Sequence, residues 1–344
     1  MRVLLIKMSS LGDVVHALPA VTDAAAHGFS FDWVVEEAFA AIPARHPAVH
    51  RVIPIAWRRW RKKLSLHGAA LGQFRRSLRE TSYPLVLDAQ GLLKSAVVSR
   101  MVKAENRAGF DSSSAREGAA SLFYGRRIRV AREQHAVDRL RQLFAAVLDY
   151  PLGDSPPDFG LTDTGQNQTA KQTSSRECLL LHGTTWETKH WPEPMWIELA
   201  RRLAADDWRI NLPWGDALER DRAARIAAAV PGAVVLDALS LEALIERMSG
   251  AGLAVGVDSG LSHLAGALGV PAVVLYGSTD AALTGARGAR VSNLQARFAC
   301  APCLSRTCAY RGAEVHRGGL RVVPACYAGL TPDDVWQSIS KLLG

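Results

Sequence analysis

Val255-Gly256-Val257-Asp258-Ser259-Gly260-Leu261-Ser262-His263-Leu264-Ala265-Gly266-Ala267 decides the fold. An apolar run ends in Asp-Ser-Gly, turns into a segment of small residues with helical spacing, and leads through Pro271 into a second apolar run, Ala272–Tyr276. That order is a strand, a sharp turn, a crossover helix and a parallel strand. Gly260 would leave backbone N–H groups open at a helix N-terminus, which suits a pyrophosphate, with Asp258 and Ser259 as hydrogen-bonding groups beside it. His263 follows Ser259 by four residues and Gly260 by three, so it can share their helix face. A buried histidine that merely satisfies the core is the competing reading of His263.

The same alternation extends in both directions from this stretch. Expected strands are Val3–Ile6, Phe31–Val35, Val52–Ile55, Leu85–Asp88 and a short one near Gly109, then Cys178–His182, Arg209–Leu212, Ala233–Leu236, Leu253–Val257 and Ala272–Tyr276. Between the two sets, Tyr150–Ser175 is rich in Pro, Gly, Asp, Thr and Gln and lacks periodicity, as a linker does. The expected class is therefore α/β, with two Rossmann-like doubly wound domains: residues 1–154, a linker at 155–175, and residues 176–344 with a cysteine-containing tail. One large sheet is the alternative layout.

Ligands of open parallel sheets bind beyond the carboxyl ends of the strands, and two further loops there carry chemical groups. After the first strand comes Ser9-Ser10-Leu11-Gly12-Asp13, followed by a helical pattern that should break near Pro19. Gly12 permits close approach or a positive φ. Asp13 is either an ordinary helix N-cap or a general base facing a ligand. After the first strand of the second set comes His182-Gly183-Thr184-Thr185-Trp186-Glu187-Thr188-Lys189. Hydroxyls, a Gly and a Lys before a helix can hold a phosphate, with Lys189 as a point charge; a plain surface lysine is the other reading.

The 344 residues are 48% hydrophobic and 22% charged, enough to bury two cores. No stretch approaches a membrane span and the N-terminus has no signal-peptide core, so a cytoplasmic location is expected. The net charge of +8 is unevenly placed. Residues 1–154 carry 23 Lys and Arg against 14 Asp and Glu, whereas residues 155–344 carry 18 against 19. The densest part, Arg58-Arg59-Trp60-Arg61-Lys62-Lys63 with Arg75, Arg76 and Arg79, is either a solvated helix face or a surface for a polyanion. Gly-x-Gly-x-x-Gly is absent after the first strand, no Gly-x-Ser-x-Gly elbow occurs, and no Asp-x-Asp pair offers metal ligands beside a nucleotide. No cofactor and no metal are expected. In the tail, Cys300-x2-Cys303-x4-Cys308-x17-Cys326 could hold a structural zinc. The paired C-x2-C spacing of common zinc ribbons is missing, however, so reduced thiols are the expectation.

In order along the chain, SSLGDVVHALPA, FDWVVEEAF, HRVIP, RRWRK, LDAQGLLKSA, SLFYGR, QHAVDR, TKHWPEPMW, LPWGDALER, VDSGLSHLAGAL and LYGSTD resemble the bacterial lipopolysaccharide heptosyltransferases, ADP-heptose glycosyltransferases of the GT-B type. The resemblance spans nearly all of residues 1–290 and loosens in the tail. It implies two domains facing across a cleft and closing about the linker, with an ADP-heptose donor on the second. An acceptor, Kdo on lipid A, falls to the first, at the cytoplasmic face of an anionic inner membrane. Nucleic acid is not an implied partner. By the same resemblance Asp13 and Lys189 are catalytic. Thr184, Thr185, Lys189, Glu219, Leu239, Asp258, Ser259, Gly260 and His263 bind the donor; Ser10, Gly12, Arg58, Arg59, Arg61 and Arg116 bind the acceptor. Alternatives are addition of the second heptose rather than the first, a sugar-nucleotide epimerase, and a non-catalytic binder of nucleic acid or anionic membrane.

Overall fold

The computed structural model describes residues 1–60, 68–161 and 175–344. The chain divides into two compact units, Met1–Leu161 and Thr162–Gly344. The first unit runs past Asp154 because the chain stays tied to it. Arg141 Nη1 donates to the Ser155 carbonyl at 3.0 Å, Phe159 is buried, and a side chain at Gly160 would collide with His46. Of the expected linker, residues 162–174 lie outside the described residues.

The first unit holds a parallel sheet of β1 (Arg2–Ile6), β2 (Ser30–Glu36), β3 (Val49–Ile55), β4 (Ser82–Asp88), β5 (Lys103–Phe110) and β6 (Arg126–Ile128), in the order β3-β2-β1-β4-β5-β6. The second repeats the plan with β7 (Glu177–Leu181), β8 (Arg209–Leu212), β9 (Val234–Val235), β10 (Leu253–Val257), β11 (Ala272–Tyr276) and β12 (Val291–Gln295), in the order β9-β8-β7-β10-β11-β12. Each order reverses direction between the first and fourth strand of its sheet. That reversal opens a crevice at the carboxyl ends of β1 and β4, and another at those of β7 and β10.

The central strands form because helices cover both faces, so every side chain of β10 and β11 is buried. The expected strands appear, mostly longer at their amino ends. β6 and β12 were not expected: both sit at a sheet edge and carry polar residues such as Arg126, Arg127 and Asn293, which blunt the apolar signal.

One local expectation fails in the helix Leu11–Ala26, which continues through Pro19; of the two uses open to Gly12, the positive φ is not taken, since Gly12 lies within the first turn. Val14, Val15, Ala17, Leu18, Ala20 and Val21 are all fully buried, and that apolar face offsets the roughly 3 kcal/mol that an interior proline costs.

Candidate active site

In the first unit, the β1 and β4 loops are stitched together at the strand-order reversal. Asp88 ends β4 as a buried carboxylate that accepts from Tyr124 Oη at 2.6 Å and from the amides of Gln90 and Gly91. This turn aims Gln90 Oε1 at the β1 loop, where it accepts from the amides of Met8 and Ser9 at 2.9 and 3.1 Å. Gly91 has φ +65°, a conformation that favours glycine, and packs next to the backbone of Ala115 and Arg116. Lys94 Nζ donates to Ser9 Oγ at 3.2 Å.

The rigid loop presents Asp13. Asp13 is not the N-cap of its helix; Ser10 is, and Asp13 sits at the third helical position as the return partner of a capping box. The Ser10 amide and hydroxyl donate to Asp13 Oδ2 at 2.8 and 2.9 Å. Lys7 Nζ stands 3.7 Å from the other oxygen, Oδ1. Lys7 is itself buried, donating to the Ala89 carbonyl at 3.2 Å. Burial raises the Asp13 pKa, but Lys7, the Ser10 hydrogen bonds and nearby His16 together outweigh it and hold the carboxyl below its ordinary value. The outcome is a charged carboxylate, about a third exposed, with one oxygen engaged by Ser10 and the other facing an ammonium. Lys7 escaped the sequence reading, although a lysine that closes an apolar strand at such a crevice is the signal that could have found it.

The basic segment is partly neutralised within its own unit. The Arg58 guanidinium lies over the Phe39 ring at 5.0 Å while the Arg58 amide donates to Glu36 Oε1. Arg59 pairs with Glu37 at 3.1 Å on the surface, and Trp60 is core. Arg116 is exposed at the end of the Asp111–Arg116 turn, against Gly91. Arg61, Lys62 and Lys63 lie outside the described residues.

In the second unit the β7 and β10 loops meet in the same way. Asp258 ends β10 almost fully buried and is the hub: Lys189 Nζ is 2.7 Å from Oδ2, Thr279 Oγ1 donates to Oδ2 at 2.6 Å, and His263 Nε2 is 3.3 Å from Oδ1. Burial works against the Asp258 carboxylate, but the hydrogen bonds and charges of His263 and Lys189 prevail and hold its pKa well below the usual range. His263 is thus buried and paired. Ser259 caps the helix Gly260–Ala267, and Ser259, Gly260 and Leu261 at its start are partly exposed.

Thr184 Oγ1 donates to the Asp258 carbonyl at 3.2 Å, Thr185 is exposed beside it, and Lys189 also stacks on the Trp186 ring at 4.5 Å. Glu219 lies against Gly183 so closely that a Cβ there would stand 2.3 Å from Oε1. Its other oxygen accepts from the Gly215 amide at 2.7 Å, and burial raises its pKa. Leu239 is an exposed leucine in the segment after β9. Lysine, carboxylate, hydroxyls and a helix N-terminus therefore surround one crevice, a set of groups suited to a nucleoside diphosphate.

The model of glycosyltransferase family 9 (heptosyltransferase) matches residues 71–314. The chain belongs to glycosyltransferase family 9. This heptosyltransferase is 51% identical over 351 aligned positions to lipopolysaccharide heptosyltransferase 1 of Pseudomonas aeruginosa, covering 100% of this chain and 98% of that one. It is 46% identical over 293 positions to lipopolysaccharide heptosyltransferase 1 of Escherichia coli K12, covering 84% of this chain and 91% of the relative. Among solved structures it superposes on E. coli heptosyltransferase WaaC with ADP at a TM-score of 0.84 and 40% identity, over 99% of this chain and 100% of that one. The resemblance carried by its loops is thereby borne out, and this heptosyltransferase is a glycosyltransferase of the GT-B fold class. The Pseudomonas match covers the cysteine tail as well, where the resemblance had loosened.

Proposed function

We propose that the chain transfers heptose from ADP-heptose to the Kdo of Kdo2-lipid A, the first heptose of the lipopolysaccharide inner core. The observation that carries this reading is the Asp258 hub, a buried anion that fixes Lys189 beside a partly exposed helix N-terminus at the strand-order reversal. A WaaC structure with ADP-2-deoxy-2-fluoro heptose, at a TM-score of 0.80 and 39% identity, supports the donor. In this reading Lys189, Thr184, Thr185 and the amides at Ser259 and Gly260 take the diphosphate, with Asp258 and His263 holding Lys189 in place. Glu219 takes the ribose and Leu239 borders the adenine. Asp13 removes the proton of an acceptor hydroxyl as that oxygen attacks the anomeric carbon. The bond to ADP breaks with inversion, and Lys189 and the helix amides meet the charge that builds on the leaving phosphate.

Ser10 and Gly12, with Arg58, Arg59, Arg61 and Arg116, would receive the anionic acceptor. The surface pair of Arg59 with Glu37 contributes little and exchanges readily for such a ligand. No helix among the described residues is long and apolar enough to cross a membrane, so the proposed meeting with lipid A is peripheral, at the cytoplasmic face of the inner membrane. Incubating the protein with ADP-heptose and Kdo2-lipid A should add one heptose to the lipid and release ADP. No addition by folded protein, or addition only to an acceptor that already bears one heptose, would overturn the assignment.

Two expected outcomes arise here. Lys7→Met removes one of the charges that oppose burial at Asp13, so the Asp13 pKa should rise. The acid limb of kcat against pH should then move upward, and a limb that stays in place would remove Lys7 from the account. Gly183→Ala drives a methyl group into Glu219. ADP affinity should fall about tenfold, the worth of a charged hydrogen bond, measured by calorimetry with the melting temperature as control.

A further inference from the structure

The loop from Gly183 to His190 carries side chains assigned above to the diphosphate, and one helix grips it at both ends. That helix, Ala217–Ala228, follows β8. At the start of the loop, Glu219 lies against Gly183, with no room for a Cβ between them. At its finish, Arg222 Nη1 donates to Nδ1 of His190, the residue directly after Lys189. Glu219 and Arg222 are three residues apart in the helix and so share one of its faces.

Arg222 also meets the element that follows the loop. Glu193 opens the helix Glu193–Ala205, and its Oε1 stands 3.6 Å from Arg222 Nε, a nitrogen sealed from solvent. Arg225, one turn on, fixes the same carboxylate by donating from Nε and Nη2 to its two oxygens at 2.8 and 2.6 Å. Burial, and after it the Arg222 charge, push the His190 pKa down to about 4, so the ring is neutral and accepts from the guanidinium. His182, fully buried at the end of β7, is pushed down to about 4 by the same two causes, with His190 behind them. Burial raises the Glu219 pKa, and the Arg222 charge is among the groups that oppose it. One guanidinium thus ties the exit of the Lys189 turn to the helix that carries Glu219.

We infer that Arg222 is a positioning residue for the donor: tied to His190 and Glu193, it fixes the separation between the diphosphate contact at Lys189 and the ribose contact at Glu219. The guanidinium does this without touching the donor. ADP joins its two ends through one covalent frame, so engaging the second end is an intramolecular event, favourable only when the two contacts lie at the matching distance. Loosening the tie therefore costs the whole nucleoside diphosphate more than it costs either piece.

This role for Arg222 rests on the proposed roles of Lys189 and Glu219, and three ligands separate them: ADP, adenosine and pyrophosphate, each titrated by calorimetry against the full chain. Arg222→Met should weaken ADP at least about tenfold while adenosine and pyrophosphate stay within about twofold of wild type. Simple loss of folded protein would weaken all three alike. Arg222→Lys keeps the charge but offers it to His190 or Glu193 one at a time, so it should recover ADP affinity only in part, and it serves if Arg222→Met does not fold. Glu193→Gln, which leaves the guanidinium on His190, should repeat the pattern with a smaller loss of ADP affinity. Equal weakening of all three ligands, or ADP affinity unchanged in the folded Arg222 variants, would overturn the positioning role. Glu219→Gln and Lys189→Met should each weaken their own fragment, adenosine and pyrophosphate respectively, about tenfold. A fragment that ignores its own variant would overturn that assignment and the positioning role with it; fragments that respond, with ADP unchanged in Arg222→Met, would overturn the positioning role alone.

Discussion

Asp13→Asn should lower kcat by roughly 10²–10⁴-fold, the usual worth of a positioned general base, while ADP affinity stays within about twofold, since a change of nearly equal size outside the donor unit removes none of the donor's hydrogen bonds. Asparagine keeps the size of the side chain and an oxygen for the Ser10 hydrogen bonds, so the capping box survives in part, while the negative charge opposite Lys7 and the capacity to take a proton are lost. Asp13→Ala also removes the return half of the capping box, about 1 kcal/mol of stability, and should therefore lower both kcat and the melting temperature. Comparing the two separates chemistry from folding. Turnover of Asp13→Asn within about tenfold of wild type would leave Asp13 a structural residue of its helix, because general-base catalysis is worth more than that.

Lys189→Met has the second large effect, and it should appear in two places at once. Asp258 is almost fully buried and would keep His263 and Thr279 while losing its lysine. Removing one partner of a buried pair costs roughly 3–5 kcal/mol, so the melting temperature should fall by several degrees. The Asp258 pKa should rise, because one of the charges that holds it down is gone. The donor loses its cation, so ADP binding should weaken about tenfold or more, and kcat should fall as well because the leaving phosphate goes uncompensated. Lys189→Arg keeps the charge and tests placement: stability should return more fully than donor affinity, since a planar guanidinium cannot reproduce the ammonium's single contact. Normal ADP affinity in Lys189→Met would take this residue out of the donor site.

Much of the fold was legible because the central strands are apolar on both faces. Val255–Val257 and Val273–Leu275 could be read without partners, since burial on both sides demands that composition whatever the neighbours. The edge strands β6 and β12 were not, because neither has a fully buried residue and Arg126 or Asn293 there looks like loop. Pro19 misled for a related reason: the local penalty is visible in sequence, while the packing that overrides it belongs to the whole helix face.

At the site, the identity of the groups was written in the chain and their state of charge was not. The loops Ser9–Asp13, His182–Lys189 and Asp258–Gly260 announce themselves by composition at strand ends, and the order of strands then places them in two crevices by topology alone. Whether Asp13 is charged depends on Lys7 and Ser10 reaching its two oxygens, and whether Lys189 is held depends on Asp258, 69 residues away in the chain. Such contacts are long-range electrostatics in a desolvated setting, which local patterns do not encode. The same holds for the tail, where thiols at an unpromising spacing reach one cavity because Cys326 is anchored in the core beneath the loop. Residue types and their period determined the two sheets and the loops that end them; only tertiary packing decided which charges meet, because the energy of a charge is set by what surrounds it in space.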